Sequence, residues 1–283
     1  MTHILDLAIT TVVYLASGFI LFFIGKMVYQ LFHRNINIKD ELVHKDNFAF
    51  AISHTGYFVG LLLAIGSAII GPSNGLLIDL ADIFIYGFIA ILLLNISIII
   101  NDKIILRKFS VRKEIIDDQN AGTGVVEAAN SIATGLIILG AVSGEGGGIM
   151  TALVFWAIGQ IVILLISFVY DLITPYNIHE HIEKDNVAVG IGFAGAIIAI
   201  GNLIRFALMD DFESWATTLS FVGIEVLIGI ILLPVVRFLS DKILLPGQKL
   251  TDEIINQEKP NIGAALIEAF SYIGGSVLLT WCM

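Results

Sequence analysis

Eight long apolar stretches, spread evenly along the chain, constrain its fold more than any other feature of the sequence. The core of a bilayer is about 30 Å thick, so a helix that crosses it needs about 20 apolar residues. The eight candidate helices cover 8–32, 48–70, 79–101, 121–142, 149–173, 187–209, 215–240 and 261–282. Charged residues make up only 14% of the chain, about half the share of a soluble domain. We therefore predict an all-α polytopic membrane protein.

The connections between these helices are too short to hold a separate domain. Each has about 20 residues or fewer, whereas independent domains rarely have fewer than about 50. No nucleophile with its base and no zinc-binding helix motif lies within a span, so we expect no enzymatic activity and no cofactor. The single cysteine, Cys282, excludes an internal disulfide. Nothing in the sequence is typical of a nucleic-acid recognition module.

Lysine and arginine predict the orientation of the chain. Fourteen of these 15 residues lie in or beside four long connections, 33–47, 102–120, 174–186 and 241–260, and only Arg205 lies near the opposite face. Because such residues collect on the cytoplasmic side, we expect these connections inside the cell and both termini outside. The first apolar stretch lacks the basic residues that precede it in a cleaved signal peptide. It is expected to remain as a helix in the bacterial inner (plasma) membrane.

The two halves of the chain repeat each other. Residues 37–47 read NIKDELVHKDN and residues 177–186 read NIHEHIEKDN, while 102–106 read DKIIL and 241–245 read DKILL. These pairs share an offset of 139 to 140 residues, so we predict two four-helix repeats, 1–143 and 149–283. An even number of helices gives both repeats the same orientation. The inverted repeats of many carriers do not arise in this way.

Each half contains a fainter repeat of helix pairs. An asparagine precedes the second helix of every pair, and a small residue follows four positions later. The asparagines are Asn47, Asn120, Asn186 and Asn261, and the small residues are Ala51, Gly124, Gly190 and Ala265. The asparagines are expected to cap helix N-termini, and the small residues to allow close contact between helices.

These landmarks resemble the YjfL-like family of inner-membrane proteins, also called domain of unknown function 350. The resemblance is carried by the charged connections ending in Lys45-Asp46-Asn47 and Lys184-Asp185-Asn186 and by the helices rich in alanine and glycine that follow them. The fourth unit departs from this pattern, because it reads Glu258-Lys259-Pro260-Asn261. Family members are typically short four-helix proteins. The resemblance therefore implies two tandem copies and an inner-membrane location, and it supplies no activity or catalytic residues.

Titratable side chains inside the predicted spans are the candidate functional residues. Glu127 and Glu268 each lie seven residues after their unit's asparagine, and the equivalent residue of the first unit is His54. Glu225 lies within the seventh span. Because buried ionisable groups in a bilayer usually face a bundle interior, these four residues are candidates for a proton or cation pathway. The competing interpretation is that protonated glutamates only hydrogen-bond neighbouring helices.

The strongest basic cluster lies in the second long connection. It consists of Lys103, Arg107, Lys108, Arg112 and Lys113, and its position predicts contact with anionic lipid headgroups. His179, Glu180 and His181 lack an evident third ligand, so we interpret them as a solvated connection and not as a metal site.

Two functional hypotheses follow. The first is a channel or transporter for protons or small cations, and the second is a non-conducting scaffold or envelope-stress component that acts through lipids or a protein partner. The sequence leaves open whether a second copy or another membrane protein associates with the chain.

Overall fold

The prediction of eight spans is confirmed by the computed structural model, which describes residues 2–71, 73–144, 147–243, 247 and 249–283. Eight helices in this part of the chain are long and apolar enough to cross a membrane. They are α1 (Thr2–Phe32), α2 (Phe48–Ile69), α3 (Leu76–Ile104), α4 (Ala121–Ser143), α5 (Ile149–Ile173), α7 (Val187–Leu208), α8 (Trp215–Ile243) and α10 (Ile262–Cys282). The second copy of the repeated motif, DKILL at 241–245, lies partly outside the described residues.

The long connections are folded against one end of the bundle. Two contain a π-helical turn, Asp40–His44 and Lys113–Asp117, and two contain a short helix, α6 (Ile178–Glu183) and α9 (Leu250–Ile255). The interpretation of 179–181 as a solvated connection is therefore wrong for His179, which is buried. Its Nε2 donates a 2.7 Å hydrogen bond to the carbonyl oxygen of Ile105. We call this end of the bundle, which carries the four long connections, the basic end, and the opposite end the acidic end.

The spanning helices form two layers. Helices α2, α4, α7 and α10 pack side by side in that order as an inner row, and α1, α3, α5 and α8 form an outer row over them. Every inner helix starts at the basic end and every outer helix ends there. The inner row therefore continues from the first half into the second through the contact between α4 and α7.

The inner helices approach one another to backbone contact. A Cβ atom added to Gly60 of α2 would lie 2.2 Å from the carbonyl oxygen of Ser131 in α4. The expected role of the small residues is confirmed at Gly124 and Gly190, where an added Cβ would lie 2.5 and 2.6 Å from the carbonyl oxygens of Ala49 and Gly122. Side chains at these positions would push the helices apart.

The four asparagines cap the inner helices, as predicted. The Oδ1 atoms of Asn47, Asn120, Asn186 and Asn261 accept hydrogen bonds of 2.8 to 3.1 Å from backbone N–H groups three residues later. At three of the four caps the preceding residue has a positive φ that reverses the chain into the cap, namely Asp46, Gln119 and Asp185. Each inner helix is thus fixed at its basic end.

Candidate functional site

Two carboxyl groups meet inside the first half, near the basic end. Asp102 of α3 and Glu127 of α4 lie within hydrogen-bonding range of each other. Glu127 is buried, and the Oδ1 of Asp102 and the Oε2 of Glu127 have no hydrogen-bond partner in the described part of the chain. An ionised carboxylate only accepts hydrogen bonds, so a bond between two carboxyl groups requires one proton. The pair is therefore a candidate site for a proton or another cation.

Sequence reasoning missed Asp102. The third span was predicted to end at residue 101, which placed Asp102 in the following connection, but α3 continues to Ile104. The repeated motif, DKIIL at 102–106 and DKILL at 241–245, could have indicated this residue, because it places an aspartate at the end of an apolar run in both halves. A helix extended by one turn would have placed that aspartate beside Glu127.

A cavity of about 80 Å³ lies beside the carboxyl pair. Its wall includes Tyr29 of α1, His33 directly after α1, Ser53 of α2, Ser131 of α4 and the exposed Arg112 of the second long connection. Arg112 and its neighbours Val111, Ile115 and Ile116 place the cavity between the pair and the basic end. The cavity is large enough for more than one water molecule.

Further polar groups continue from the pair into the bundle. Asn130, one helical turn after Glu127, is fully buried, and its side-chain amide lies within hydrogen-bonding range of the Glu127 carboxyl group. The amide of Asn95 donates to the hydroxyl of Tyr57 at 3.3 Å, and that hydroxyl donates to the carbonyl oxygen of Gly25 at 2.9 Å. These side chains extend the polar interior from the carboxyl pair into the bundle.

An apolar layer separates these groups from the acidic end. Leu21, Leu61, Ile83, Ile91 and Leu94 pack together there, and each is at most 2% exposed. Beyond them, a cavity of about 220 Å³ at the acidic end includes Tyr14, Asp79 and Asp82 in its wall. Within the described residues, the carboxyl pair therefore lies on the basic side of this apolar layer.

The other sequence candidates lie apart from the pair. His54 packs among the rings of Tyr29, Phe50 and Phe58, with centroids 4.4 to 5.2 Å away. Glu268 lies in α10 against Gly192 of α7, and α7 separates α10 from α4. Glu225 is half-buried in α8. Glu127 thus belongs to the carboxyl pair and His54 packs against the wall of its cavity, whereas Glu225 and Glu268 lie in other helices.

The basic cluster is exposed, but its members have different surroundings. Lys113 forms a 2.7 Å ion pair with Asp118, and this carboxylate raises the pKa of Lys113. Lys108 donates to Asn177 at 3.3 Å, and the guanidinium of Arg107 lies 5.5 Å over the ring of Phe168. Lys103 is exposed at the end of α3. Within the described ranges, no three His, Cys, Asp or Glu residues are grouped to hold a metal ion.

Comparison with known proteins gives the family. The family model of Domain of Unknown Function (DUF350) matches residues 3–142 and again 146–283. The chain belongs to the DUF350 family. Its two DUF350 copies are the two halves that the offset of 139 to 140 residues predicted, so the resemblance to this family and the tandem arrangement are confirmed.

One relative is similar over almost the whole chain. It is the UPF0719 transmembrane protein of Aquifex aeolicus (strain VF5), with 23% identity over 276 residues, 93% of this chain and 97% of the relative. No solved structure matches the chain. The relative and the eight apolar helices together establish a multi-pass membrane protein.

Proposed function

We propose that this DUF350 protein transports protons across the plasma membrane and that Asp102 and Glu127 form the proton-binding site. The observation that carries the proposal is that both carboxyl groups line one cavity that leads to the basic end and lie within hydrogen-bonding range of each other. The proposal assigns no covalent chemistry and no cofactor to the chain. Within it, the basic end faces the cytoplasm and both termini lie outside.

A proton fits this site better than a small metal cation. Hard cations such as Mg²⁺ and Ca²⁺ take about six to eight oxygen ligands, and a third metal-ligating side chain is absent from the described surroundings of the pair. One proton, by contrast, satisfies the pair by completing a single hydrogen bond. The polar lining at Ser53 and Ser131 supports water that carries the proton to the site.

The apolar layer at Leu21 and Leu61 implies that transport requires a conformational change. Helix α1 is the candidate for this movement, because only 11% of its spanning window is buried in the protein. It also carries Tyr29 and is followed directly by His33, and both residues line the cavity. A displacement of α1 would separate Leu21 from Gly87 of α3, on which it packs, and would admit water from the acidic end.

The close packing of the inner row favours a second candidate function, a non-conducting scaffold. Backbone contacts at Gly60 and Gly124 make this row a rigid element, and the apolar layer closes the first half. In that role the carboxyl pair would only join α3 to α4. Proton flux distinguishes the two functions, because a scaffold conducts nothing.

Purified protein in liposomes with an internal pH dye tests the proposal. A pH gradient is expected to dissipate faster than in empty liposomes, and replacing external Na⁺ and K⁺ by a large organic cation should leave the rate unchanged. Asp102→Asn and Glu127→Gln should lower the rate at least about tenfold, a scale typical of lost proton-transfer groups. Glu225→Gln removes a carboxylate that lies apart from the pair, so this variant should keep the wild-type rate. Wild-type flux equal to that of empty liposomes would refute transport.

A further inference from the structure

A second cavity opens at the seam between the two halves. It has a volume of about 210 Å³ and lies between the ends of α3 and α5, with Ile104 and Arg107 on one side and Leu164, Leu165 and Phe168 on the other. Leu165 is 59% exposed and Phe168 47% exposed, so the cavity opens at the perimeter of the bundle. It is distinct from the cavity of the carboxyl pair, with which it shares no residue.

The location of this groove determines what occupies it. Its apolar residues belong to spanning helices, and Leu164 lies seven residues before Asp171, which is about 10 Å along the helix. A groove that opens at this depth is surrounded by lipid, and its apolar wall of Leu164, Leu165 and Phe168 offers water no hydrogen bonds. An acyl chain therefore fits this wall better than water does.

The positive charge at the basic end of the groove favours a lipid with an anionic headgroup. Arg107 is exposed and forms no ion pair with any residue that the structure describes, and its guanidinium is held over the ring of Phe168. The carboxylate of Asp171 also lines the groove, with its Oδ1 3.5 Å from Nδ1 of His179. A guanidinium held in this way can form a bidentate contact with a phosphate.

We propose that this groove binds one anionic phospholipid, with its phosphate at Arg107 and an acyl chain along Leu164, Leu165 and Phe168. Such a lipid joins the last turn of α3 in the first half to α5 in the second half. Ser167, which is 5% exposed and has an unpartnered hydroxyl within the described structure, faces the same cavity and can donate a hydrogen bond to an oxygen of the lipid.

The basic cluster contains a matched control for this site. Lys113 belongs to the same connection and carries the same charge, but it is paired with Asp118 and does not line the groove. A general attraction of anionic lipid to the basic end depends on total charge and is lowered equally by loss of either residue. A site in the groove depends on Arg107 alone.

The test uses full-length protein purified in mild detergent from membranes that contain phosphatidylglycerol, cardiolipin and phosphatidylethanolamine, with retained lipids measured by native mass spectrometry. Wild type is expected to retain about one anionic phospholipid per chain. Arg107→Gln should lower this occupancy at least about fivefold, while Lys113→Gln leaves it unchanged. Ser167→Phe, which fills the groove without changing the charge, should also lower it.

Equal occupancy in Arg107→Gln and Lys113→Gln would overturn the proposal, as would retention of phosphatidylethanolamine in preference to the anionic lipids. Gel filtration of each variant shows whether it is folded. If Arg107→Gln does not fold, the lipid occupancy of Ser167→Phe is compared with that of Lys113→Gln. Equal occupancy in these two variants would then overturn the proposal.

Discussion

The side-chain amide of Asn120 donates a 2.7 Å hydrogen bond to the backbone carbonyl oxygen of Ile182 and so joins the two halves of the protein. The same contact links each unit to the next, because Asn47 donates to Ile115 at 2.9 Å and Asn186 donates to Ile254 at 3.1 Å. Asn261 ends the row, and its amide donates to Glu253 of its own connection. Each asparagine before the last therefore serves as a cap and also as a link between units.

This difference predicts unequal effects of two matched substitutions. Loss of an N-cap costs about 1 kcal/mol, and leaving a buried carbonyl oxygen unsatisfied costs about 1–3 kcal/mol more. Asn120→Ala should therefore destabilise the protein by about 2–4 kcal/mol and Asn261→Ala by about 1 kcal/mol. Unfolding in mixed micelles with increasing denaturing detergent measures both. Equal losses would contradict the proposed link between units.

The close approach of inner helices predicts opposite effects of adding a methyl group at two glycines. Gly60→Ala should destabilise the protein by about 1–3 kcal/mol, as overpacking typically does, because its Cβ would meet the carbonyl oxygen of Ser131. Gly223→Ala, in α8, meets no atom within 4 Å and should stabilise its helix by up to about 1 kcal/mol. Thermal unfolding of both variants tests the prediction, which a stabilised Gly60→Ala would contradict.

Large residues lie on the outer edges of the two end helices of the inner row. They predict that the row does not continue by packing against the inner row of a second copy of the protein. Fifteen residues after the asparagine, the later units have Gly135, Gly201 and Ser276, whereas the first unit has Leu62. Nine residues after it, the earlier units have Gly56, Ala129 and Gly195, whereas the last has Phe270. Leu62 and Phe270 are both exposed, and their side chains block the close approach seen between the internal helices.

We therefore expect the double variant Leu62→Ala, Phe270→Ala to associate head to tail more strongly than wild type, since a contact between two different edges can repeat. Light scattering in detergent over a range of protein concentrations measures the association. Each single variant serves as a control, because it exposes only one of the two edges. A double variant with the mass of wild type at every concentration would contradict this explanation of the two residues.

Burial of Glu114 in the second long connection predicts a pH effect on stability. Burial raises the pKa of Glu114 above its ordinary value, so the folded state binds the proton more tightly than the unfolded state does. Ionised Glu114 thus lowers stability at neutral pH, and stability is recovered as the pH falls toward the raised pKa. Glu114→Gln should raise the melting temperature at neutral pH. Mild acidification should then raise the melting temperature of this variant less than that of wild type.

Glu180 provides the comparison for Glu114, because Lys184 lowers the pKa of this exposed glutamate. Glu180→Gln removes a favourable ion pair, so it should not raise the melting temperature at neutral pH. Melting curves at several pH values for both variants test the sign. A lower melting temperature for Glu114→Gln at neutral pH would show that its charge is needed for the hydrogen bond from Asn120.

Sequence alone was sufficient for the features that depend on local composition. The spans follow from apolar length, and the caps at Asn47 and Asn120 follow from the chemistry of helix ends. The order of helices in the two layers depends on contacts between distant segments, which one sequence does not display. Asp102 was missed for a related reason: a charged residue at the end of an apolar run resembles a connection until its partner, Glu127, is known to lie beside it.

The central claim is that Asp102 and Glu127 share an exchangeable proton, and infrared difference spectroscopy of the protein in lipid tests it most directly. Changing the pH at the basic end is predicted to change the absorption band of a protonated carboxylic acid. This change should disappear in Asp102→Asn and in Glu127→Gln but persist in Glu225→Gln. A band that does not respond to pH in wild type, or that remains in both variants of the pair, would contradict the claim.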